Sequence, residues 1–475
     1  MSDLSLRASA RRIAPLAWPV LIGQLAVLAF STTDTVLIAR YSALDLAAIA
    51  VGGATYITIF IGCMGVVLAI GPIAGQLFGA GRLAESGRQL HQAMWLALLL
   101  SAIGCVVLVF PEPFMRISRA APEVEAKVRA YLGALAFALP AALVFTAFRG
   151  FNTAVSRPKI VMVLQLGALA LKIPLTALLV YGLTLPTPFG ALAVPSFGAP
   201  GCGIATAIVM NLQLGVAWQV LRRDSFYARF ELGRRLSAPH RASLAALLRL
   251  GGPMGAAIMI EVSGFTFLAL FISRLGSAPV AGHQVAANLV ALMFMMPLAI
   301  ANASGTLVAQ RIGAGDAADA RHLSWHGLLI GVGCATLLGA SVYLLRSPIV
   351  ALYTHDPVIA AAAFPLLAWV VLFHIADAAQ TVAAFVLRAY RIATVPLVIY
   401  AVAIWGVGLG GGYAVAFDAS GVVPAALRGA PGFWAAATVG LMLAGAGMSG
   451  FLAWMLRRQR VLASDTPAAA SASAR

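Results

Sequence analysis

Apolar residues in this sequence come in long unbroken runs separated by short polar segments, and that pattern predicts helices spanning a membrane. A crossing helix needs about 20 apolar residues. Twelve stretches meet that length, at roughly 13–39, 46–71, 89–111, 126–148, 160–183, 202–221, 245–273, 280–304, 323–346, 358–387, 393–416 and 432–456. Six prolines fall inside them (Pro19, Pro140, Pro174, Pro253, Pro297, Pro365). Each removes a backbone donor and kinks its helix, as a packing kink or as a hinge. The expected fold is an all-α membrane protein of twelve transmembrane helices.

Composition agrees. Of 475 residues, 61% are hydrophobic and 10% charged, whereas a soluble chain carries about 25% charged residues. The lipid bilayer is therefore the first partner. A formal charge of +16 would point to nucleic acid in a soluble domain, but the placement of the charges removes that need. With loops assigned alternately, the side holding both termini has 23 of the 32 Lys and Arg; the other side has 8, and Lys172 lies within a helix. By the positive-inside rule the basic side, and so both termini, is cytoplasmic. Arg7, Arg11 and Arg12 precede a segment too long for a signal peptide, so the first run is expected to stay as a helix.

Several chemistries drop out. No Gly-Lys pair occurs, so there is no P-loop. Cys63, Cys105, Cys202 and Cys334 are scattered singly, as small packing residues rather than a disulfide or zinc framework. Gly447-Met448-Ser449-Gly450 imitates a serine-hydrolase motif, but no histidine follows it, and no His-Glu-x-x-His exists. An enzyme and a resident cofactor are not expected.

The chain repeats itself. Gly71–Gly81 (GPIAGQLFGAG) matches Gly305–Gly315 (GTLVAQRIGAG) at an offset of 234 residues. At that offset Pro19 falls on Pro253 and Leu46–Val51 on Val280–Val285. Near 239, Arg149-Gly150-Phe151 falls on Arg388-Ala389-Tyr390. The repeat predicts two pseudo-symmetric six-helix lobes, 1–221 and 245–460, a cytoplasmic linker at 222–244 and a disordered tail at 461–475. Lobes of six helices enter from the same side, which places an axis along the membrane normal and a substrate path between them.

Three carboxylates lie well inside the runs: Asp34, Glu261 and Asp377. Each costs roughly 2.5–3.5 kcal/mol at mid-bilayer on insertion scales, so each needs a partner, a wet cavity or a proton. Glu261 is 12 residues beyond Arg249 and Asp377 is 11 before Arg388, which puts both about 16–18 Å from the cytoplasmic edge. At one level they can face each other, and two facing carboxylates in low dielectric relax by binding H⁺ or Na⁺. That pair is the candidate coupling-ion site, with Na⁺ as the one possible metal. On helix ten, His374, Asp377, Gln380, Thr381 and Arg388 share a face. His374 either tunes the proton affinity of Asp377 or is a satisfied hydrogen-bonding histidine. Gln284 and Asn288, four apart on helix eight, are candidates to line the same cavity. Phe265, Phe267, Phe294 and Met295 read first as packing residues.

The run IEVSGFTFLALFISRLGSAPVAGHQVAANLVALMFMMPLAI (260–300), with DAAQTVAAFVLRAY (377–390) and DTVLIARYSALDLAAIAV (34–51), resembles the multidrug and toxin extrusion (MATE) transporters and their NorM-like bacterial branch. The resemblance covers essentially the whole chain. It implies two six-helix lobes in a bacterial inner membrane and export of amphipathic organic cations in exchange for H⁺ or Na⁺. It also implies that Asp34 works in the N-terminal lobe and that Glu261 and Asp377 form the C-terminal ion site. A monomer is expected. The alternative is a flippase for a lipid-linked saccharide, which a basic cavity would suit better than three carboxylates.

Two departures from the branch stand out. Lys172 and Thr176 occupy positions of helix five where the branch carries two Asn flanking the proline. Lys172 is expected to supply a fixed cation near Asp34, although straight helices would leave the two about 13 Å apart in level. Phe373 takes the place of a Tyr hydroxyl found in some relatives, which tilts the choice of ion towards H⁺.

Overall fold

The computed structural model describes residues 5–118, 121–187, 190–232, 236–419 and 421–464. Among these, twelve helices are long and apolar enough to cross a membrane: α1 (Leu6–Ala39), α2 (Ala43–Gly79), α3 (Leu83–Val109), α4 (Pro122–Ala154), α5 (Pro158–Tyr181), α6 (Ala199–Arg223), α7 (Arg241–Ser273), α8 (Ser277–Gly313), α9 (Ala317–Leu344), α10 (Pro357–Ala389), α11 (Thr394–Ala416) and α12 (Ala430–Arg458). They match the twelve expected runs. The last helix continues to Ser464, so residues 461–464 are helical; the rest of the expected disordered tail, 465–475, lies outside the described residues. Among the described residues the only strands form a short antiparallel hairpin between α5 and α6, β1 (Leu183–Thr187) and β2 (Gly190–Val194), in the register Leu183 to Val194.

Helix starts follow ordinary capping chemistry. Asp356 accepts from the Val358 N–H at 2.8 Å with Pro357 behind it, and Asp316 accepts from the Asp319 N–H at 3.0 Å. The outward faces are apolar, with Leu352, Leu344, Phe137 and Leu337 all more than 70% exposed. Such a surface suits the lipid that twelve spanning helices imply.

The repeat is now visible residue by residue. α2 and α8 have bounds 234 residues apart at both ends, and so do the starts of α3 and α9. The short helices Glu112–Ser118 and Arg346–Tyr353 also begin 234 apart. Gly81 and Gly315, at the same offset, both take φ near +75° in the turn after their helices. From α4 and α10 onward the offset becomes 235, since each has 33 residues from a first-turn proline, and Ser156 and Arg391 then share a left-handed φ of 61°. This corrects the match near 239. Arg149 falls opposite Ala384 and Arg388 opposite Thr153, because two helices of equal length leave no room for a four-residue shift.

The helices form two compact units, one from Arg12–Met259 with Ala309–Gly315, the other from Met1–Arg11, Ile260–Val308 and Asp316–Arg475. Within the first, the repeated glycines explain their own sequence. A Cβ on Gly79 would lie 1.8 Å from the Gln310 carbonyl oxygen, and one on Gly313 would lie 1.8 Å from that of Gln76. The two helix ends cross backbone to backbone, so only glycine fits at either position.

Candidate functional site

In the C-terminal unit, α10 carries a polar stripe into an apolar surrounding, and α7 meets it there. The Gln380 side-chain amide lies between the two carboxylates. Its Nε2 donates to Glu261 Oε1 at 3.0 Å and to Asp377 Oδ1 at 2.8 Å, with Thr381 Oγ1 at 3.1 Å. Nε2 has two hydrogens for these three acceptors, so the network is over-subscribed. Its carbonyl end is also held, because the Tyr400 hydroxyl donates to Gln380 Oε1. That bond fixes the amide with its NH₂ towards the carboxylates. The expected meeting of Glu261 and Asp377 is therefore present, through a bridging residue. Tyr400 directly precedes an 11-residue π-helical stretch, Ala401–Gly411, a departure from α geometry frequent at functional sites.

The rest of the stripe behaves less uniformly. His374 is completely buried, and neither ring nitrogen has a hydrogen-bond partner among the described residues. Such a buried pair of ring nitrogens costs about 1–3 kcal/mol unless water or an ion completes it. Arg388 is buried, with its guanidinium 4.7 Å from the Phe385 ring centroid. Gln284 and Asn288 hydrogen-bond each other at 2.9 Å on an exposed face of α8; no described hydrogen bond joins them to the Glu261–Asp377–Gln380 network. Phe373 packs with Trp434 and Phe265 at centroid distances of 5.4 and 6.2 Å, so its ring is spent on apolar packing.

The N-terminal unit holds a second cluster. Lys172 is 0% exposed, with Nζ at 2.9 Å from Asp34 Oδ1 and 3.0 Å from Oδ2. It also donates to Thr206 Oγ1 at 2.5 Å and to the Cys202 carbonyl at 3.3 Å, and lies 5.1 Å from the Phe30 centroid. The level estimate that separated this pair by about 13 Å is overturned. α1 has 34 residues against 24 in α5, about 15 Å more, and contains both Pro15 and Pro19; Arg12 does not mark the level at which α5 begins. Thr176, one turn beyond Lys172, is fully buried beside it.

Sequence reasoning missed Tyr400 and Thr206, since a tyrosine or threonine in an apolar run carries no mark of its own. It also passed over Asp45, which is 2% exposed and ties three elements at their ends. Asp45 accepts from Lys127 Nζ at 2.9 Å and from the Ala199 N–H at 2.8 Å.

The Tyr400 hydroxyl can be tested on its own. Tyr400→Phe removes one hydrogen bond of net worth about 0.5–1.5 kcal/mol, or roughly 2- to 12-fold. If the chain exchanges ions for cargo as its sequence resemblance implies, that exchange in proteoliposomes should fall by this factor with the thermal unfolding midpoint little changed. Wild-type exchange in this variant would show that the phenol does not orient Gln380.

The Asp34–Lys172 pair and the Glu261–Asp377–Gln380–Tyr400 network lie in regions matched by the MatE family model, which covers residues 19–178 and 253–414. A NorM-type multidrug resistance protein of Aromatoleum aromaticum is 41% identical over 441 residues, covering 93% of this chain and 92% of its own. The multidrug resistance protein PmpM of Pseudomonas aeruginosa is 36% identical over 440 residues, covering 92% and 90%. Among solved structures, the Vibrio cholerae MATE transporter VcmN in its bent form superposes with a TM-score of 0.81 at 18% identity, over 97% of this chain and 99% of its own. The eukaryotic MATE transporter AtDTX14 gives 0.83 at 17%, over 97% and 100%. Matched in both halves of its length and by relatives along nearly all of it, the chain belongs to the multidrug and toxin extrusion family of membrane transporters.

Proposed function

We propose that this transporter is a bacterial inner-membrane multidrug efflux antiporter, exporting amphipathic organic cations in exchange for inward-moving ions, with both termini in the cytoplasm. The observation that carries this reading is the amide of Gln380 between Glu261 and Asp377. Two carboxylates brought together in an apolar unit hold a full negative charge only at high cost. An amide donor offsets part of that cost but carries no charge, so the pair still draws in a cation from water. A cationic cargo and a coupling ion then compete for the same charge. Binding one favours release of the other on the opposite side, which is alternating access driven by differential affinity.

What surrounds the carboxylates supports one ion over the other. Sodium is held by a shell of oxygen atoms, whereas the group nearest both carboxylates is an N–H donor whose own oxygen is engaged by Tyr400. A proton needs only one carboxylate oxygen and leaves the amide in place. This favours H⁺ over Na⁺. The buried, unpartnered ring of His374 on the same helix face adds a second group able to hold a proton or a water there. In the N-terminal unit, Lys172 already neutralises Asp34, so the exchangeable charge is assigned to the C-terminal pair.

The test is ethidium transport by the purified chain in proteoliposomes, under an imposed pH gradient and an imposed Na⁺ gradient applied one at a time. Export should follow the pH gradient. Transport driven by Na⁺ alone would reverse the choice of ion, and no transport under either gradient would refute the antiport of this cargo.

A further inference from the structure

A second charged feature of the N-terminal unit takes no part in the exchange site. Between α6 and α7 the chain forms a 3₁₀ turn, Ser225–Phe230, docked firmly on the unit. The Tyr227 hydroxyl donates to Asn152 Oδ1 at 2.5 Å. Phe230 packs on Phe151 and Phe78 at 5.3 and 6.2 Å, and Gly87 leaves room for the Phe230 carbonyl, which a Cβ would meet at 2.1 Å. The turn is a rigid shelf. On it, two arginines converge on one ring: the guanidinium carbons of Arg157 and Arg229 each lie 4.0 Å from the Phe226 centroid.

Like charges gathered on one ring repel, and only one of them is compensated. Arg157 reaches Asp224 Oδ2 at 2.5 Å; the Phe226 backbone N–H and then that guanidinium hold the Asp224 carboxyl below its ordinary range, so it stays ionised. Arg229, on the ring, and Arg223, which directly precedes Asp224 in the chain, are exposed and have no carboxylate partner among the described residues. Stacking leaves the edge of a guanidinium, with its fork of donors, free to face outward, the geometry that takes a phosphate in a bidentate grip. The level fits a headgroup as well. Arg157 directly precedes α5, and Arg223 ends α6. Nearby on the same end, the Lys159 ammonium lies 5.8 Å from the ring of Trp18, a half-exposed indole of the kind that sits at the membrane interface.

We propose that Arg229 and Arg223, beside the Phe226-stacked Arg157, form a binding site for the phosphate headgroup of an anionic phospholipid. The lipid would clamp the α4–α5 turn to the inter-lobe shelf. The site is independent of the antiport reading and stands or falls without it.

Native mass spectrometry of the full-length detergent-purified chain, titrated with phosphatidylglycerol or phosphatidylcholine, tests the assignment. Phosphatidylglycerol should be retained in preference to phosphatidylcholine. A juxtamembrane arginine contributes about fivefold in affinity for an anionic lipid surface, so Arg223→Gln/Arg229→Gln should weaken retention roughly 25-fold. The exposed pair Arg457→Gln/Arg458→Gln, at the end of α12, should weaken it clearly less, since a single arginine there faces the Trp454 ring. Equal loss in both double variants, or none in the first, overturns the site. Displacement of the lipid by an equal concentration of inorganic phosphate also overturns it, since the arginines would then read a water-borne anion.

Discussion

Asp377→Asn and Glu261→Gln should each uncouple transport, with gradient-driven ethidium export falling towards the background of empty liposomes. The expected loss is roughly 5- to 150-fold, the range over which two linked binding events influence each other. Both replacements are nearly isosteric, and an Asn or Gln carbonyl can still accept from the Gln380 amide, now 2.8 and 3.0 Å from the two carboxylates. Misfolding is therefore not the expected cause of the loss, and thermal unfolding in detergent should stay near the wild-type midpoint. Because one amide serves both carboxylates, the double variant should be no worse than either single one, as residues sharing one network are not additive. Wild-type exchange in both single variants would remove the ion site from this unit. Additive losses would divide it into two sites.

How this pair could be read in advance, and Tyr400 could not, has a physical cause. A carboxylate deep in an apolar run is expensive wherever its helix points, so Glu261 and Asp377 stood out by cost alone. Counting residues from Arg249 and Arg388 then put the two at one level, on the regular rise of long helices. Rotation about the helix axis is what such counting leaves open. Gln284 and Asn288 share an exposed face, as their spacing requires, and Gln284 donates to Asn288 at 2.9 Å. Tyr400 belongs to the site only through a contact with Gln380, 20 residues earlier on the preceding helix. No local pattern carries a contact of that kind. The hairpin at Leu183–Val194 was missed for a related reason: two five-residue strands containing Pro186 and Gly190 present too weak an alternation beside twelve long runs.

Lys172 makes the sharpest test of how labour is divided between the two clusters. Its ammonium is buried with no exposure and is paired with Asp34 at 2.9 Å. Removing one member of a buried ion pair leaves the other uncompensated, at a cost of about 3–5 kcal/mol, whereas replacing both can be neutral or stabilising. Lys172→Met alone should therefore lower the thermal unfolding midpoint, as should Asp34→Asn alone. The double variant should recover most of the loss. Lys172→Asn addresses function more directly, because it leaves a polar group of moderate size and frees Asp34 to respond to a proton or a cation. If Lys172 silences that carboxylate, Lys172→Asn should alter the pH dependence of export while Asp377→Asn still abolishes it in the same background. Unchanged transport with an unchanged pH profile would make the Asp34–Lys172 pair purely structural. Full activity in Asp34→Asn/Lys172→Met under a pH gradient would then place all of the coupling on Glu261 and Asp377.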